Sequence, residues 1–138
     1  MKFLRPAILQ AGLLVALAVL ASWATATFHL KWRLPPDLNT LTLNDARNSP
    51  VPILWVDVRE LERFESAHVP DAISFEEQNR DDSLAKIIAR WTPNTRVIVY
   101  GEGPNSDRAS RVAKNLKKDL GTREVYLLEG GWAAWPRN

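Results

Sequence analysis

A short loop holds the residues whose types and positions suit chemistry best. Residues 97–100 are a continuous apolar run that predicts a buried strand, and a helix is predicted to begin near Asp107. The candidate pocket loop lies between them and consists of Gly101, Glu102, Gly103, Pro104, Asn105 and Ser106, followed by Asp107. A loop that leads from a strand into a helix directs backbone N–H groups at one point, which favours a bound anion. The sequence therefore predicts a binding site at this loop.

Covalent chemistry at the loop would need a nucleophilic side chain. The sequence contains no cysteine, which excludes disulfides, thiolate zinc sites and any thiol nucleophile. Ser106 carries a hydroxyl, but a serine becomes nucleophilic only beside a base, and neither His29 nor His68 is near it in the sequence. Two interpretations of Ser106 remain, a hydrolytic nucleophile and, favoured here, the N-cap of the following helix.

The sequence leaves the sign of the charge at this loop open. Glu102 and Asp107 are negative, and a carboxylate at a helix N-terminus takes the position that an incoming anion would occupy. Arg108 and Arg111 offset this charge. We interpret Asp107 as an acid of the first helical turn.

Metal and cofactor binding are not predicted. Two histidines that are far apart do not suggest a metal cluster. Gly103 and Pro104 form a stiff turn rather than a phosphate-binding glycine-rich loop, and no dinucleotide-binding fingerprint is present.

Four short motifs in a fixed order resemble one known family. They are V-D-x-R at residues 56–59, A-H-V-P-D-A at 67–72, V-Y-G at 99–101 and L-x-G-G-W-x-x-W at 128–135. Together they resemble the rhodanese-like (sulfurtransferase) family over about residues 40–136. The family carries a cysteine that accepts sulfur as a persulfide directly after the strand, and this chain has Gly101 there.

The resemblance implies a sulfurtransferase scaffold that lacks its nucleophile. In the family the loop holds the persulfide and the oxyanion of thiosulfate. We therefore predict a binding or interaction module without sulfurtransferase activity. Two alternatives stay open. One is an enzyme of the family with an atypical loop, in which a substrate thiol carries the sulfur or Ser106 acts as a hydrolase nucleophile. The other is a purely structural membrane protein.

The resemblance also assigns residues outside the loop. Asp57 and Arg59 match the D-x-R of the family, and both are predicted at the pocket rim together with Arg108. Because Asp57 ends a strand, its side chain is positioned to face the pocket. Arg59 is expected to pair with an acid such as Glu65 or Glu129.

Three further matched residues are expected to be architectural. His68 is interpreted as a hydrogen-bonded turn residue rather than a catalytic base. Trp132 and Trp135 are expected to pack a terminal helix onto the sheet. All three predictions concern the fold rather than the chemistry.

The elements that position the loop alternate between strands and helices. Strands are predicted at residues 53–58, 72–75, 97–100 and 125–128. A short helix is predicted after Thr42, a second after residues 81–83 and a third from about 107 to 120. The second is predicted to bury Leu84, Ile87, Ile88 and Trp91. This alternation predicts a rhodanese-like three-layer α/β/α sandwich with a mainly parallel sheet.

The N-terminus predicts a membrane anchor. Residues 7–28 carry no charge, and the segment is long enough for one transmembrane helix. Residues 7–30 are predicted to contact the membrane. Residues 1–33 form the anchor or signal segment, 34–39 a linker and 40–138 the domain. Basic residues near the start place the domain on the extracytoplasmic (periplasmic) side of a single-pass protein. The alternative is secretion after signal cleavage near Ala26.

Composition limits the partners. A net charge of +2, without a long basic block, gives little support for nucleic-acid binding. The predicted partners are the membrane and either a small anion or a protein.

Overall fold

The structure, a computed structural model, describes residues 38–136. The predicted membrane segment at residues 7–30 and the cleavage site near Ala26 lie outside the described residues. Within residues 38–136, none of the helices combines the length and the apolar character that crossing a membrane requires.

A five-stranded parallel sheet forms the centre of the domain. Its strands are β1 (Asn39–Leu41), β2 (Ile53–Asp57), β3 (Ile73–Ser74), β4 (Arg96–Tyr100) and β5 (Val125–Leu128). They lie in the order β1-β5-β4-β2-β3. All the pairings are parallel, as the alternation of strands and helices predicts. β1 begins inside the segment predicted as a linker and is not among the predicted strands.

Helices connect and follow these strands. They are α1 (Leu43–Arg47), α2 (Leu61–Ser66), α3 (Arg80–Arg90), α4 (Asp107–Leu120) and a 3₁₀ helix (Gly131–Ala134). The predicted cap of α1 is confirmed, since the N–H of Asp45 donates to the Thr42 hydroxyl at 3.1 Å. Gly121 ends α4 in the left-handed region at φ 62°, which a glycine adopts without a Cβ penalty.

Each face of the sheet has its own apolar cluster, because side chains alternate along a strand. One cluster joins the sheet to α3 and α4 and includes Leu54, Val56, Val97, Val99, Ile87, Val112, Ala113 and Leu116. The other joins it to α1 and the 3₁₀ helix and includes Ala46, Ile98, Tyr100, Leu128, Trp132 and Trp135. β4 lies between the two clusters, and four of its five residues are buried. The carboxyl end of β4 is therefore fixed from both sides.

One detail of the sequence prediction is wrong. The sequence places Ile88 on the buried face of α3, but 52% of it is exposed. The buried residues of this helix are Ser83 and Ile87, and a residue next to Ile87 points about 100° away from it. The terminal helix that Trp132 and Trp135 are expected to pack onto the sheet is a single 3₁₀ turn, and both indoles pack against the second cluster. α2 is not among the predicted helices.

Candidate functional site

The loop at residues 101–106 lies where the sequence predicts it, between the carboxyl end of β4 and the start of α4. Ligands of parallel sheets bind at this edge. A cleft of about 250 Å³ opens there. Its lining comes from the loop, from the N-terminus of α4 and from the segment after β2, and comprises Val58, Arg59, Glu60, Arg63, Gly101, Glu102, Ser106 and Arg108. Asp57, which was predicted at the rim, does not line the cleft.

The 3₁₀ helix holds the loop from behind. The N–H of Trp132 donates to the carbonyl oxygen of Gly101 at 2.8 Å, and the N–H of Ala133 donates to that of Glu102 at 3.2 Å. Gly131 has a φ of 59°, and a Cβ there would lie 2.7 Å from the carbonyl oxygen of Gly103. Only glycine permits both this backbone conformation and this close approach. The paired glycines of the last motif therefore set the distance between helix and loop.

These two hydrogen bonds also orient the loop amides. The described chain contains no cis peptide bond, so the N–H of each residue points opposite to the preceding carbonyl. With the carbonyls of Gly101 and Glu102 directed at the 3₁₀ helix, the N–H groups of Glu102 and Gly103 point away from it. Neither N–H donates a hydrogen bond within residues 38–136. They are available to an acceptor from outside that part of the chain.

Ser106 occupies the space next to Gly101. A Cβ built on Gly101 would lie 2.7 Å from the Cβ of Ser106 and closer still to its hydroxyl oxygen. The Ser106 hydroxyl accepts the N–H of Ala109 at 3.2 Å and so caps α4, which confirms the favoured interpretation. The described residues place no carboxylate or imidazole in hydrogen-bonding contact with this hydroxyl, so no base activates it.

Asp57 and Arg59 form a buried pair, and the expected pairing of Arg59 with Glu65 or Glu129 is wrong. Asp57 has no exposed surface and Arg59 is 6% exposed. The guanidinium nitrogens of Arg59 donate to both carboxylate oxygens of Asp57 at 2.8–3.1 Å. Burial alone would lower the pKa of Arg59, but the hydrogen bonds and the charge of Asp57 outweigh this and raise it. Both side chains are thus engaged within the fold.

Aromatic rings complete this arrangement. The Arg59 guanidinium lies 4.2 Å from the ring centre of Trp132, and Tyr100 stacks against the same indole at 6.2 Å. The Tyr100 hydroxyl accepts the N–H of Val69 at 3.1 Å, and burial raises the pKa of Tyr100. Residues of all four motifs therefore meet at one point beside the cleft.

His68 lies on the surface beside this point. Its Nδ1 lies 2.8 Å from the carbonyl oxygen of Phe64, and its ring stacks on the Phe64 ring with 4.0 Å between centres. The imidazole is exposed and does not line the cleft. This agrees with a turn residue rather than a catalytic base.

The arginines of the cleft are matched by acids. Arg108 lies 2.5 Å from Glu60 and 3.3 Å from Glu77, and Arg63 lies 4.0 Å from Glu102. Asp107 is exposed in the first turn of α4, as predicted. The charge of the cleft, whose sign the sequence leaves open, is therefore close to balanced. A small anion would have to compete with carboxylates already in place.

Sequence reasoning missed Val58, Glu60 and Arg63 as lining residues. The segment after β2 has no apolar periodicity, and α2 buries none of its residues. The available signal was topological. β2 and β4 are neighbours in the sheet, so the segment after each strand reaches the same edge.

Comparisons with known proteins agree with this architecture. Residues 40–138 match the family model described as a rhodanese-like domain. A curated relative, the thiosulfate sulfurtransferase GlpE of Pseudomonas savastanoi pv. phaseolicola, is 30% identical over 80 residues, which cover 58% of this chain and 69% of that protein.

Solved structures share the fold. The BH2092 protein of Bacillus halodurans superposes with a TM-score of 0.56 and 24% identity, covering 83% of this chain and 80% of the other. The SSP1007 protein of Staphylococcus saprophyticus gives a TM-score of 0.52 and 20% identity, covering 68% and 89% of the two chains. At these identities the likeness is one of fold alone.

Proposed function

The chain belongs to the rhodanese-like domain family, and from this premise we propose that it is a binding module that does not transfer sulfur itself. It keeps the cleft of the fold and lacks the atom on which a persulfide forms. We further propose that residues 1–33 anchor it in a membrane and that the domain is exported.

One observation carries the proposal. Position 101 has no side chain, and the volume that a side chain would need is filled by Ser106. Sulfur relay through a persulfide requires a thiolate, and the whole sequence contains no cysteine. The nucleophile is therefore absent, and the space for its side chain is taken as well.

The charge pattern favours a protein partner over a small anion. Arg63 and Arg108 already face acids, so a free anion gains little net attraction at the cleft. A protein surface can satisfy both signs at once, since its own acids and bases can be placed to match. A small anion held by the free N–H groups of the loop is the weaker alternative.

The test is a sulfur-transfer assay on the full-length chain. We expect no thiocyanate from thiosulfate and cyanide under conditions in which a thiosulfate sulfurtransferase of the same fold turns over. We also expect an unchanged intact mass after incubation with thiosulfate. Turnover, or the mass of one added sulfur atom, would contradict the proposal.

Membrane attachment rests on the sequence of residues 7–28, which carry no charge. The expected result is that the chain stays in the membrane fraction through alkaline extraction and that external protease digests the domain in intact spheroplasts. Release of a chain whose N-terminus begins shortly after Ala26 would instead identify a cleaved signal and a secreted protein.

An enzyme of the same family is the second candidate, and the orientation of the loop amides favours it. Two free N–H groups could hold the sulfonate oxygens of thiosulfate. A thiolate of the substrate would attack the outer sulfur, forming a new S–S bond while sulfite leaves with the electron pair of the broken bond. Turnover that needs an added thiol and survives Ser106→Ala would support it. Loss of hydrolysis in Ser106→Ala would support a serine nucleophile instead.

A further inference from the structure

α2 has no buried side chain, although it carries two apolar ones. Leu61 is 40% exposed, and Phe64, one turn later, is half-buried. Residues three apart lie on the same side of a helix, so the two form one stripe. The His68 ring extends it, because that ring is held flat against Phe64 by stacking and by a 2.8 Å contact to the Phe64 carbonyl oxygen. The stripe is therefore preformed.

The helix that carries this stripe is acidic. Residues 60–66 contain three acids, Glu60, Glu62 and Glu65, and one arginine, Arg63. Glu60 pairs with Arg108. Glu62 and Glu65 are exposed on α2 and form no ion pair with any of residues 38–136. The stripe thus lies between acids whose charge the described part of the domain does not neutralise.

The acidic stripe, meaning Leu61, Phe64 and His68 with Glu62 and Glu65, lies beside the cleft. Arg63, on the same helix, lines the cleft and faces Glu102 across it. We infer that the acidic stripe is the docking surface for a basic, amphipathic segment of a partner protein. The inference rests on the proposed function, because it names the class of partner that a non-catalytic module of this fold would bind.

Charge complementarity selects this partner. Lysine or arginine side chains would meet Glu62 and Glu65, and an apolar side chain would cover Leu61 and Phe64. An acidic segment would face repulsion from the same carboxylates. The exposed Ile88 on α3 provides an internal comparison, because it is an apolar residue outside the acidic stripe and is more exposed than Leu61, at 52% against 40%.

The experiment measures binding of two synthetic peptides to the full-length chain by fluorescence anisotropy. Both are amphipathic helices of about 15 residues, one built from lysine and leucine and the other from glutamate and leucine. We expect the lysine peptide to bind, more weakly as salt is raised, and the glutamate peptide not to bind. Amide shifts in NMR spectra should concentrate at residues 60–68.

Two variants and one matched control decide the outcome. Leu61→Ser should lower the affinity for the lysine peptide by about fivefold or more, and so should the double variant Glu62→Gln/Glu65→Gln. Ile88→Ser should leave this affinity unchanged. Equal binding of both peptides, or an equal effect of Leu61→Ser and Ile88→Ser, would overturn the inference. The result is independent of sulfur transfer. Turnover in the sulfur assay would refute the proposed function and leave a positive docking result in place.

Discussion

Placing a cysteine at position 101 should damage the protein unless Ser106 is changed with it. In Gly101→Cys the new Cβ would lie 2.7 Å from the Cβ of Ser106, and neither atom is at the end of a flexible side chain. Overpacking of this kind costs about 1–3 kcal/mol. Ser106→Gly removes the clash at little cost, because glycine replaces serine as an N-cap for about a few tenths of a kcal/mol.

A double-mutant cycle tests this coupling with four proteins: the parent, Gly101→Cys, Ser106→Gly and Gly101→Cys/Ser106→Gly. Denaturant unfolding of each full-length chain gives the free energy of unfolding. We expect the double variant to recover most of the loss seen in Gly101→Cys, with a coupling free energy of about 1 kcal/mol or more. A single Gly101→Cys variant as stable as the parent would refute the steric reasoning.

Sulfur loading tests the same pair chemically. A thiol at the N-terminus of α4 should have a lowered pKa and react as a thiolate. After incubation with thiosulfate, we expect the mass of one added sulfur atom in Gly101→Cys/Ser106→Gly and much less in Gly101→Cys. Equal loading of both variants would show that Ser106 does not obstruct the site. Loading of neither would show that the cleft no longer activates a thiol.

Three further variants test the support of the loop. Asp57→Asn should cost about 3–5 kcal/mol in denaturant unfolding, because it leaves the buried Arg59 charge without its partner. Gly131→Ala should cost about 1–3 kcal/mol or more, since it combines a φ of 59° with a Cβ 2.8 Å from the Gly101 carbonyl oxygen. In the parent, the contribution of Tyr100 to the free energy of unfolding should be fully present below the tyrosine pKa of the unfolded chain, about 10, and should fall as the pH rises above it. Burial raises the pKa of Tyr100 in the folded state, so the unfolded chain releases that proton first, and Tyr100→Phe should flatten the fall.

Two of these variants have a matched control. Glu102→Gln removes an exposed ion pair with Arg63 and should change the free energy of unfolding by less than about 0.5 kcal/mol. A loss of stability in Asp57→Asn no larger than that in Glu102→Gln would contradict the role given to the buried pair. Gly103→Ala adds a Cβ that meets nothing within 4 Å and should be tolerated, in contrast to Gly131→Ala. An alkaline profile of Tyr100→Phe identical to that of the parent would refute the assignment.

The central strands were predictable and the cleft wall was not. Residues 53–57 and 96–100 are almost wholly apolar, which is the pattern of a strand covered on both faces, and the structure places both at the centre of the sheet. α2 has neither a buried face nor a long apolar repeat, so its sequence carries no periodic signal. The partner of Arg59 was missed for another reason. Its acid lies two residues away, and the turn that brings them together forms only once β2 has ended.

Most of the motif residues of this chain support the fold, whereas position 101 is the position at which the chemistry of the family takes place. The Asp57–Arg59 pair and the Tyr100 hydroxyl are buried and meet the half-buried Trp132 ring, and removing any of them would lower the free energy of unfolding. Position 101 contributes only backbone to that arrangement, because its carbonyl oxygen accepts a hydrogen bond from the N–H of Trp132. Its side chain can therefore be lost while the loop keeps its shape, and Ser106 can then occupy the vacated volume.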